Sequence, residues 1–157
     1  DVGDALLELL HSGQGPRIQV ALAQAIGAME DPHLAGRLGE RALPLKSAPV
    51  SVVVAEALVR TYPEPARAMP AEAFSAYRDH VRVAWEDKDP WAHRFRLVEG
   101  LEGLFTQDPV ALDEMAGLVQ GLLADKRLGS SWSVDQQARA ASVAKALAKR
   151  AVELRGR

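Results

Sequence analysis

Apolar residues recur every three or four positions through most of this chain, which is the spacing of one face of an α-helix. Strand-favouring valines cluster in one place only, between positions 50 and 54. The pattern predicts eight helices, which lie at residues 4–12, 16–30, 32–43, 49–62, 70–87, 90–106, 109–126 and 133–154. We therefore expect an all-α fold in a single domain over residues 1–157, cut from a longer protein.

A short motif repeats inside every second predicted helix. It consists of a small residue, a polar residue, a small residue and then Ile or Leu. Its four copies are residues 23–26 (AQAI), 55–58 (AEAL), 98–101 (VEGL) and 144–147 (AKAL), spaced 32, 43 and 46 residues apart. Self-similarity at such spacings is typical of helical repeat proteins. The small residues are expected where helices approach closely, and the Ile or Leu in the core.

Prolines divide the repeats in a regular way. One precedes each of the first three motif helices, at Pro16, Pro49 and Pro90. A second proline follows each of these motifs, directly after an acidic residue, in the pairs Asp31–Pro32, Glu64–Pro65 and Asp108–Pro109. Proline is tolerated at the first helical position, and an acidic residue before it can cap the helix. The fourth motif helix lacks this proline and is expected to begin with a capping box of Ser133 and Gln136.

This arrangement of helix pairs with a small-residue motif in the second helix resembles the HEAT family, and the resemblance covers essentially the whole chain. It implies an α-solenoid of about four antiparallel helix pairs, in which second helices form the concave wall. It also implies that the protein functions as a scaffold or adaptor. Armadillo repeats have overlapping lengths, and a plain helical bundle is the alternative architecture.

The polar motif residues are the first candidate binding surface, which we call the second-helix wall. Stacking of the repeats would align them in a column, flanked by further charged residues one turn away or beside them. The residues of this wall are Gln24, Glu56, Arg60, Arg96, Glu99, Glu102, Lys145 and Lys149. A solvated face without a partner is the ordinary explanation for any one of them.

Three tryptophans offer a second candidate surface. Trp85 and Trp91 flank the turn before the sixth helix, and Trp132 precedes the last helix. Burial at the junctions between repeats is the ordinary explanation. Exposed tryptophans would instead anchor a partner, because Trp is enriched in binding hot spots.

Two further features concern helix contacts. The first helix carries Val2 and four leucines, which is too apolar for a terminal repeat that should show solvent a polar face. Burial within the domain, cover by a preceding segment and a contact site all remain open. Gly100, Gly103, Gly117 and Gly121 are expected to let neighbouring helices approach closely.

Composition excludes several classes of function. The chain has no cysteine, and no two of its four histidines have the spacing of metal ligands, so we expect no metal site. Phosphate-binding loops, dinucleotide fingerprints and nucleophile motifs are also missing from the sequence, so we expect no cofactor, no catalytic residue and no enzymatic activity. No apolar run reaches the length of a membrane span, and no signal segment opens the chain. A cytoplasmic location is the default, and the excess of arginine over lysine is typical of GC-rich bacteria.

The favoured function is therefore a scaffold whose partner is another protein. The alternative is nucleic-acid binding in the manner of HEAT-like DNA glycosylases, and a further one is a regulatory solenoid of a larger enzyme. Residues 132–157 carry six basic side chains, at Arg139, Lys145, Lys149, Arg150, Arg155 and Arg157. Against nucleic acid stands the net charge of −2, because each phosphate contact needs a Lys or Arg.

Overall fold

The structure is a computed structural model that describes residues 1–88 and 90–156, apart from the side chain of Pro90. Those residues form helices and contain no strand. The α-helices are α1 (Val2–Leu10), α2 (Pro16–Gly27), α3 (Pro32–Ala42), α4 (Ala48–Thr61), α5 (Ala71–Trp85), α6 (Pro90–Gly100), α7 (Pro109–Leu123), α8 (Leu128–Ser131) and α9 (Val134–Arg155). Short 3-10 turns lie at Leu43–Leu45, Pro65–Arg67 and Leu101–Gly103. The prediction of an all-α chain is confirmed.

Two of the three acid–proline pairs cap a helix. The Asp31 carboxylate accepts hydrogen bonds from the backbone N–H groups of His33 and Leu34, at 2.9 and 3.4 Å. The Asp108 carboxylate accepts one from the N–H of Val110 at 2.9 Å. Each bond satisfies an N–H group that has no partner inside its own helix. These caps fix where α3 and α7 begin.

The third pair behaves differently, and one helix ends earlier than predicted. Glu64 makes no side-chain cap, and Pro65 begins a 3-10 turn, so α5 starts only at Ala71. The helix expected at 90–106 ends at Gly100, because a 3-10 turn follows and Leu104 is extended. The backbone N–H of Met69 then donates to the carbonyl of Phe105 at 2.6 Å. This bond ties the segment before α5 to the segment after α6.

The last helix begins as expected. The Ser133 hydroxyl accepts from the N–H of Gln136 at 3.1 Å, and the Gln136 side chain accepts from the N–H of Ser133 at 2.8 Å. This reciprocal capping box satisfies two N–H groups that would otherwise lack partners. The short helix α8, which precedes it, did not appear in the predicted set.

The motif residues form the core, as the period predicted. The first and fourth residues of all four motifs are buried, and these are Ala23, Ile26, Ala55, Leu58, Val98, Leu101, Ala144 and Leu147. A methyl group at Gly27 would lie 2.6 Å from the Cβ of Ala57, so α2 and α4 touch there with no room for a larger side chain. Small residues therefore set a short distance between α2 and α4. The third motif residues Ala25 and Ala146 are exposed and Gly100 faces open space, so the expected close contact is not found at those positions.

Helix contacts follow a regular order. Within consecutive pairs, α1 packs on α2, α3 on α4, α5 on α6, and α7 on α9. The second members contact one another in sequence, α2 with α4, α4 with α6, and α6 with α9. Among the first members, α1 contacts α3 and α3 contacts α5. Helix α4 meets helices on all sides, which explains why nearly all of its side chains are buried.

The regular order of contacts between the first helices of successive pairs is interrupted between α5 and α7. Within the described part of the chain these two helices do not pack on each other to any comparable extent, and α7 packs mainly on α9. Three of the four glycines expected at helix contacts also face open space, since no atom lies near a methyl group built at Gly100, Gly117 or Gly121. Only Gly103 packs as expected, against Val59. An opening is left beside α7.

Candidate functional site

Four residues of the second-helix wall come together. Gln24 of α2, Glu56 and Arg60 of α4, and Arg96 of α6 line one shallow depression of about 50 Å³. Glu56 and Arg96 form an ion pair across the two helices. A similar pair joins Glu102 to Arg139 of α9 at 2.8 Å, and it lies outside this depression.

These ion pairs bear on what the wall can bind. Exposed pairs of this kind contribute about 0–1 kcal/mol to stability, since water already solvates both charges. They do occupy the charged ends of Glu56, Arg96 and Glu102, which a partner would have to displace. Glu99, Lys145 and Lys149 are exposed and do not line the depression. The wall thus offers a shallow surface on which Glu56, Arg96 and Glu102 are already ion-paired.

The tryptophans form a packed cluster. Trp132 is only 4% exposed, and its indole N–H donates to the carbonyl of Trp91 at 3.1 Å. Its ring meets those of Trp91 and Phe95 edge to face, with centroids 6.3 and 5.3 Å apart. Edge-to-face packing is a favoured arrangement of aromatic rings. Trp132 is therefore not exposed, so the prediction that it contacts a partner is corrected. Its side chain instead joins the start of α9 to α6.

Arginines cover the other two tryptophans. The Arg94 guanidinium lies over the rings of both Trp85 and Trp91, 5.2 and 5.1 Å from their centroids. It also donates two hydrogen bonds to the carbonyl of Trp85. Burial, and then the charge of Arg127, lower the pKa of Arg94. Trp91 is thus half-buried beneath the Arg94 and Arg127 side chains, and less of its ring is free to contact a partner.

Charges beside this cluster are also paired. Arg127 donates two side-chain hydrogen bonds to Asp125, at 3.1 and 2.8 Å. These bonds hold the pKa of Asp125 at about 2, well below its ordinary value. The carboxylate therefore stays ionised at neutral pH and balances one of the two nearby arginines.

An opening lies between α5 and α7, and we call it the α5–α7 groove. One part of it is a cavity of about 600 Å³, with an apolar floor that includes Met69, Phe74 and Ala111. A second cavity adjoins it along α7, floored by Val81 and Met115. Both cavities are lined by Arg78 and Glu114, so they adjoin at this pair, and together they make up the α5–α7 groove.

The groove continues toward the tryptophan cluster. A third cavity is lined by Gly117, Gly121 and Arg94, and it shares Trp85 and Leu118 with the second. Because the two glycines carry no side chain, the backbone of α7 lies bare at this end. The groove follows the whole length of α7, which at 15 residues and ~1.5 Å per residue is about 22 Å.

Arg78 occupies the middle of the groove with incomplete partners. Its Nε atom is buried and makes no hydrogen bond. One terminal nitrogen lies 3.9 Å from the Glu114 carboxylate, too far for a hydrogen bond, and another donates to the Ser75 hydroxyl at 3.5 Å. An unsatisfied buried donor costs roughly 1–3 kcal/mol. The Arg78 side chain is 34% exposed, so its terminal nitrogens, rather than the buried Nε, can donate to an acceptor on a bound molecule.

Sequence reasoning missed this groove. Arg78, Glu114 and the apolar floor carry no motif, and their proximity depends on how α7 is placed in space. The one available signal was the Gly117–Gly121 spacing, which indicated a helix contact. Within the described residues, no helix of the chain fills that contact.

Metal and membrane chemistry find no support in the described ranges 1–88 and 90–156. No group of three or more His, Asp or Glu side chains there could hold a metal ion. No helix in the same ranges has both the length and the apolar character to cross a bilayer.

Comparison with known proteins adds no relative. No protein-family model, no curated protein and no solved structure matches this chain.

Proposed function

We propose that this chain is a HEAT-like helical repeat domain that acts as a protein-interaction scaffold and holds a helical segment of a partner protein in the α5–α7 groove. The observation that carries the proposal is the broken contact order. The outer helices α1, α3 and α5 touch in turn, whereas α7 stands apart from α5 and leaves an apolar-floored groove. A helix laid into an apolar groove is a common mode of peptide recognition.

The HEAT-like assignment is supported by packing. The motif residues are buried at the same two positions in every repeat. Consecutive second helices also contact one another, as stacked helix pairs would. An extended binding surface is the usual property of such stacks.

The chemistry of the groove indicates what its occupant carries. Met69 and Phe74 on one half and Met115 on the other half favour apolar side chains. Arg78, between the halves, has a terminal nitrogen without a close acceptor, since the Glu114 carboxylate lies 3.9 Å from it. We infer an amphipathic helix with apolar residues one or two turns apart, and an Asp or Glu between them for Arg78. Gly117 and Gly121 let that helix approach α7 closely.

Nucleic acid fits this groove less well. Asp108 and Glu114 line it beside Arg78, and the chain has a net charge of −2. Three basic residues of the last helix have partners already: Arg139 pairs with Glu102, Arg155 pairs with Asp113, and Arg150 donates to backbone carbonyls. Arg157 lies outside the described residues. Few cations are left to neutralise phosphates.

The second-helix wall is a second candidate because it brings Gln24, Glu56, Arg60 and Arg96 around one depression. Its small volume and its ion pair limit it to a shallow contact. The variant Arg60→Glu separates the two sites, since Arg60 is exposed and lines the wall depression but none of the groove cavities.

A helical-peptide display selection tests the proposal. The wild-type chain is expected to enrich amphipathic peptides with a central Asp or Glu. Binding of an enriched peptide should be lost in Gly117→Leu/Gly121→Leu, whose side chains fill the groove. The matched control is Gly36→Leu on α3, where the glycine also faces open space. Trp85, which lines two of the cavities, provides a fluorescence signal for the titration.

The outcomes separate the candidates. Equal peptide binding by the groove variant and the control would contradict the groove site, and loss in Arg60→Glu alone would move binding to the wall. Enrichment of no peptide, together with salt-dependent binding of duplex DNA that Lys145→Glu/Lys149→Glu abolishes, would favour the nucleic-acid alternative.

A further inference from the structure

The charged side chains that line the α5–α7 groove are unevenly distributed along it. The cavity of about 600 Å³ near the start of α7 is lined by two carboxylates, Asp108 and Glu114, and by one cation, Arg78. The second cavity shares Arg78 and Glu114 with the first and adds one charge of each sign, Arg82 and Glu86. Among the described residues, the groove therefore has an excess of negative charge at its Asp108 end.

The third cavity, of about 330 Å³, has the opposite balance. Arg94 and Arg127 line it with a single carboxylate, Asp125, which leaves one positive charge in excess among the described residues. Burial is the main cause of the lowered pKa of Arg94, and the nearby charge of Arg127 lowers it further. A second anionic group in this cavity would offset the repulsion between the two guanidinium groups.

Both arginines keep donors for such a group. Arg94 is held between the rings of Trp85 and Trp91, and its Nε and Nη2 atoms donate to the carbonyl of Trp85. Arg127 donates from Nε and Nη2 to the Asp125 carboxylate. Neither Nη1 atom makes a hydrogen bond to a described residue. Because a guanidinium has five N–H donors, each arginine can bind a further carboxylate without losing its present contacts.

The two ends of the groove match the two ends of a helix. Helices α5 and α7 run in the same direction along it, since Ala71 and Val110, near their starts, line the first cavity, whereas Trp85 and Leu122, near their ends, line the third. The helix dipole favours carboxylates in the first turn of a helix and cations in the last turn. A bound helix therefore fits the charges best with its first turn in the third cavity. This direction also places opposite ends of the helix dipoles side by side.

We propose, on the basis of the function given above for the α5–α7 groove, that the partner helix runs antiparallel to α7. An Asp or Glu of its first turn is bound by Arg94 and Arg127, and a Lys or Arg of its last turn lies beside Asp108 and Glu114. The charges of the groove thus select both the direction of the partner helix and a second acidic position in it.

The spacing of the two acidic positions follows from α7. Arg78 lies beside Glu114, and the third cavity is lined by Gly121, seven residues later on α7. Seven residues of α-helix cover about 10 Å, or two turns. The partner helix is therefore expected to carry its first-turn acid about seven residues before the acid that binds Arg78.

Two synthetic amphipathic peptides of about 15 residues, the length of α7, serve as probes. Both carry apolar residues one turn apart, a Glu in the middle for Arg78 and two Lys in the last turn. One has two Glu in its first turn, and the other has two Gln there. The Glu peptide is expected to bind the wild type about 3–10-fold more tightly, because one exposed ion pair contributes about 1.5–5-fold.

Two variants assign that difference to the third cavity. Arg127→Gln removes one of its two cations and should reduce the difference between the peptides to less than about 2-fold. Lys126→Gln is the matched control, because Lys126 is exposed and adjacent in sequence but does not line the cavity. It should keep the wild-type difference, and both variants should be as helical as the wild type by circular dichroism.

Tryptophan fluorescence reports the direction of the bound peptide. All three tryptophans of the chain lie at this end of the groove, since Trp85 lines the third cavity and Trp91 contacts both Arg94 and Trp132. A nitroxide on the first residue of the Glu peptide should therefore quench the fluorescence more strongly than a nitroxide on its last residue.

The outcomes separate the direction of the helix from the groove itself. Stronger quenching from the last residue, or equal effects of Arg127→Gln and Lys126→Gln, would overturn the arginine site and the direction. If Gly117→Leu/Gly121→Leu still abolished peptide binding in that case, the groove would stand. A wild type that binds neither peptide at ~1 mM would overturn the inference together with the proposed function.

Discussion

A buried histidine joins three helices, and its removal has a predictable cost. The Nε2 atom of His80, on α5, lies 2.8 Å from the carbonyl oxygen of Gly39. A carbonyl oxygen carries no proton and can only accept a hydrogen bond. Nε2 therefore carries the proton and donates, so Nδ1 accepts from the hydroxyl of Ser51 on α4, 2.9 Å away.

The variant His80→Leu keeps the apolar packing and removes both hydrogen bonds. The buried Ser51 hydroxyl would be left without its acceptor, which costs roughly 1–3 kcal/mol, and the lost bond to the Gly39 carbonyl adds about 1 kcal/mol. We expect a total loss of about 2–4 kcal/mol in the free energy of unfolding, equivalent to about 5–15 °C in Tm for a chain of this size.

Acidification should destabilise the wild type through the same residue. Burial, the largest effect, lowers the pKa of His80 below its ordinary value of 6.5, despite the opposing effects of Gly39 and Asp79. Since the unfolded chain binds the proton more readily, stability is full above pH 6.5. It falls as the pH drops from 6.5 toward the lowered folded-state pKa, by at most about 1.4 kcal/mol per pH unit.

Urea unfolding of the wild type, His80→Leu and His33→Leu between pH 5 and pH 8 measures both effects. His33 is exposed, so its variant should keep the wild-type stability and pH slope. His80→Leu should be less stable at pH 8 and show a smaller loss on acidification. Identical slopes in wild type and His80→Leu, or a wild type that gains stability as the pH falls to 5, would refute the reasoning.

Four further variants test the packing and one helix cap. Gly27→Val should lower the free energy of unfolding by about 1–3 kcal/mol in thermal unfolding, because its side chain would collide with Ala57. Gly36→Ala, in open space on α3, should raise it by about 0.5–1 kcal/mol. Equal effects of the two variants would contradict the close contact at Gly27. Asp108→Ala should lose about 1 kcal/mol with its cap, and no change in Tm would argue against that cap. Trp132→Ala should cost about 3–5 kcal/mol by urea unfolding, and a cost below about 1 kcal/mol would mean that the indole is exposed.

Much of the fold could be predicted because local rules decide it. The 3.6-residue period placed Leu58 and Leu147 in the core, and the structure buries both. The Asp31 cap and the Ser133 capping box depend on neighbours within four residues, so their sequence signals were sufficient. The solenoid of HEAT-like pairs stays a proposal.

The candidate site could not be predicted in the same way. Whether α7 packs on α5 depends on the three-dimensional placement of the α7–α9 pair, which no local pattern specifies. The expectation that Gly117 and Gly121 lie at a helix contact was wrong for the described part of the chain, since no atom lies near a methyl group built at either position. Trp132 illustrates the same limit, since its burial depends on Trp91 and Phe95, about 40 residues away.

The most direct test of the α5–α7 groove is photo-crosslinking in the cells that produce this protein. A photoreactive side chain replaces Gly117 in the groove or, as the control, Gly36 on α3. The groove position is expected to yield one discrete adduct with another protein that excess groove-binding peptide suppresses, while the control position yields none. No adduct at position 117, or the same adducts at both positions, would contradict the claim that the groove holds a partner.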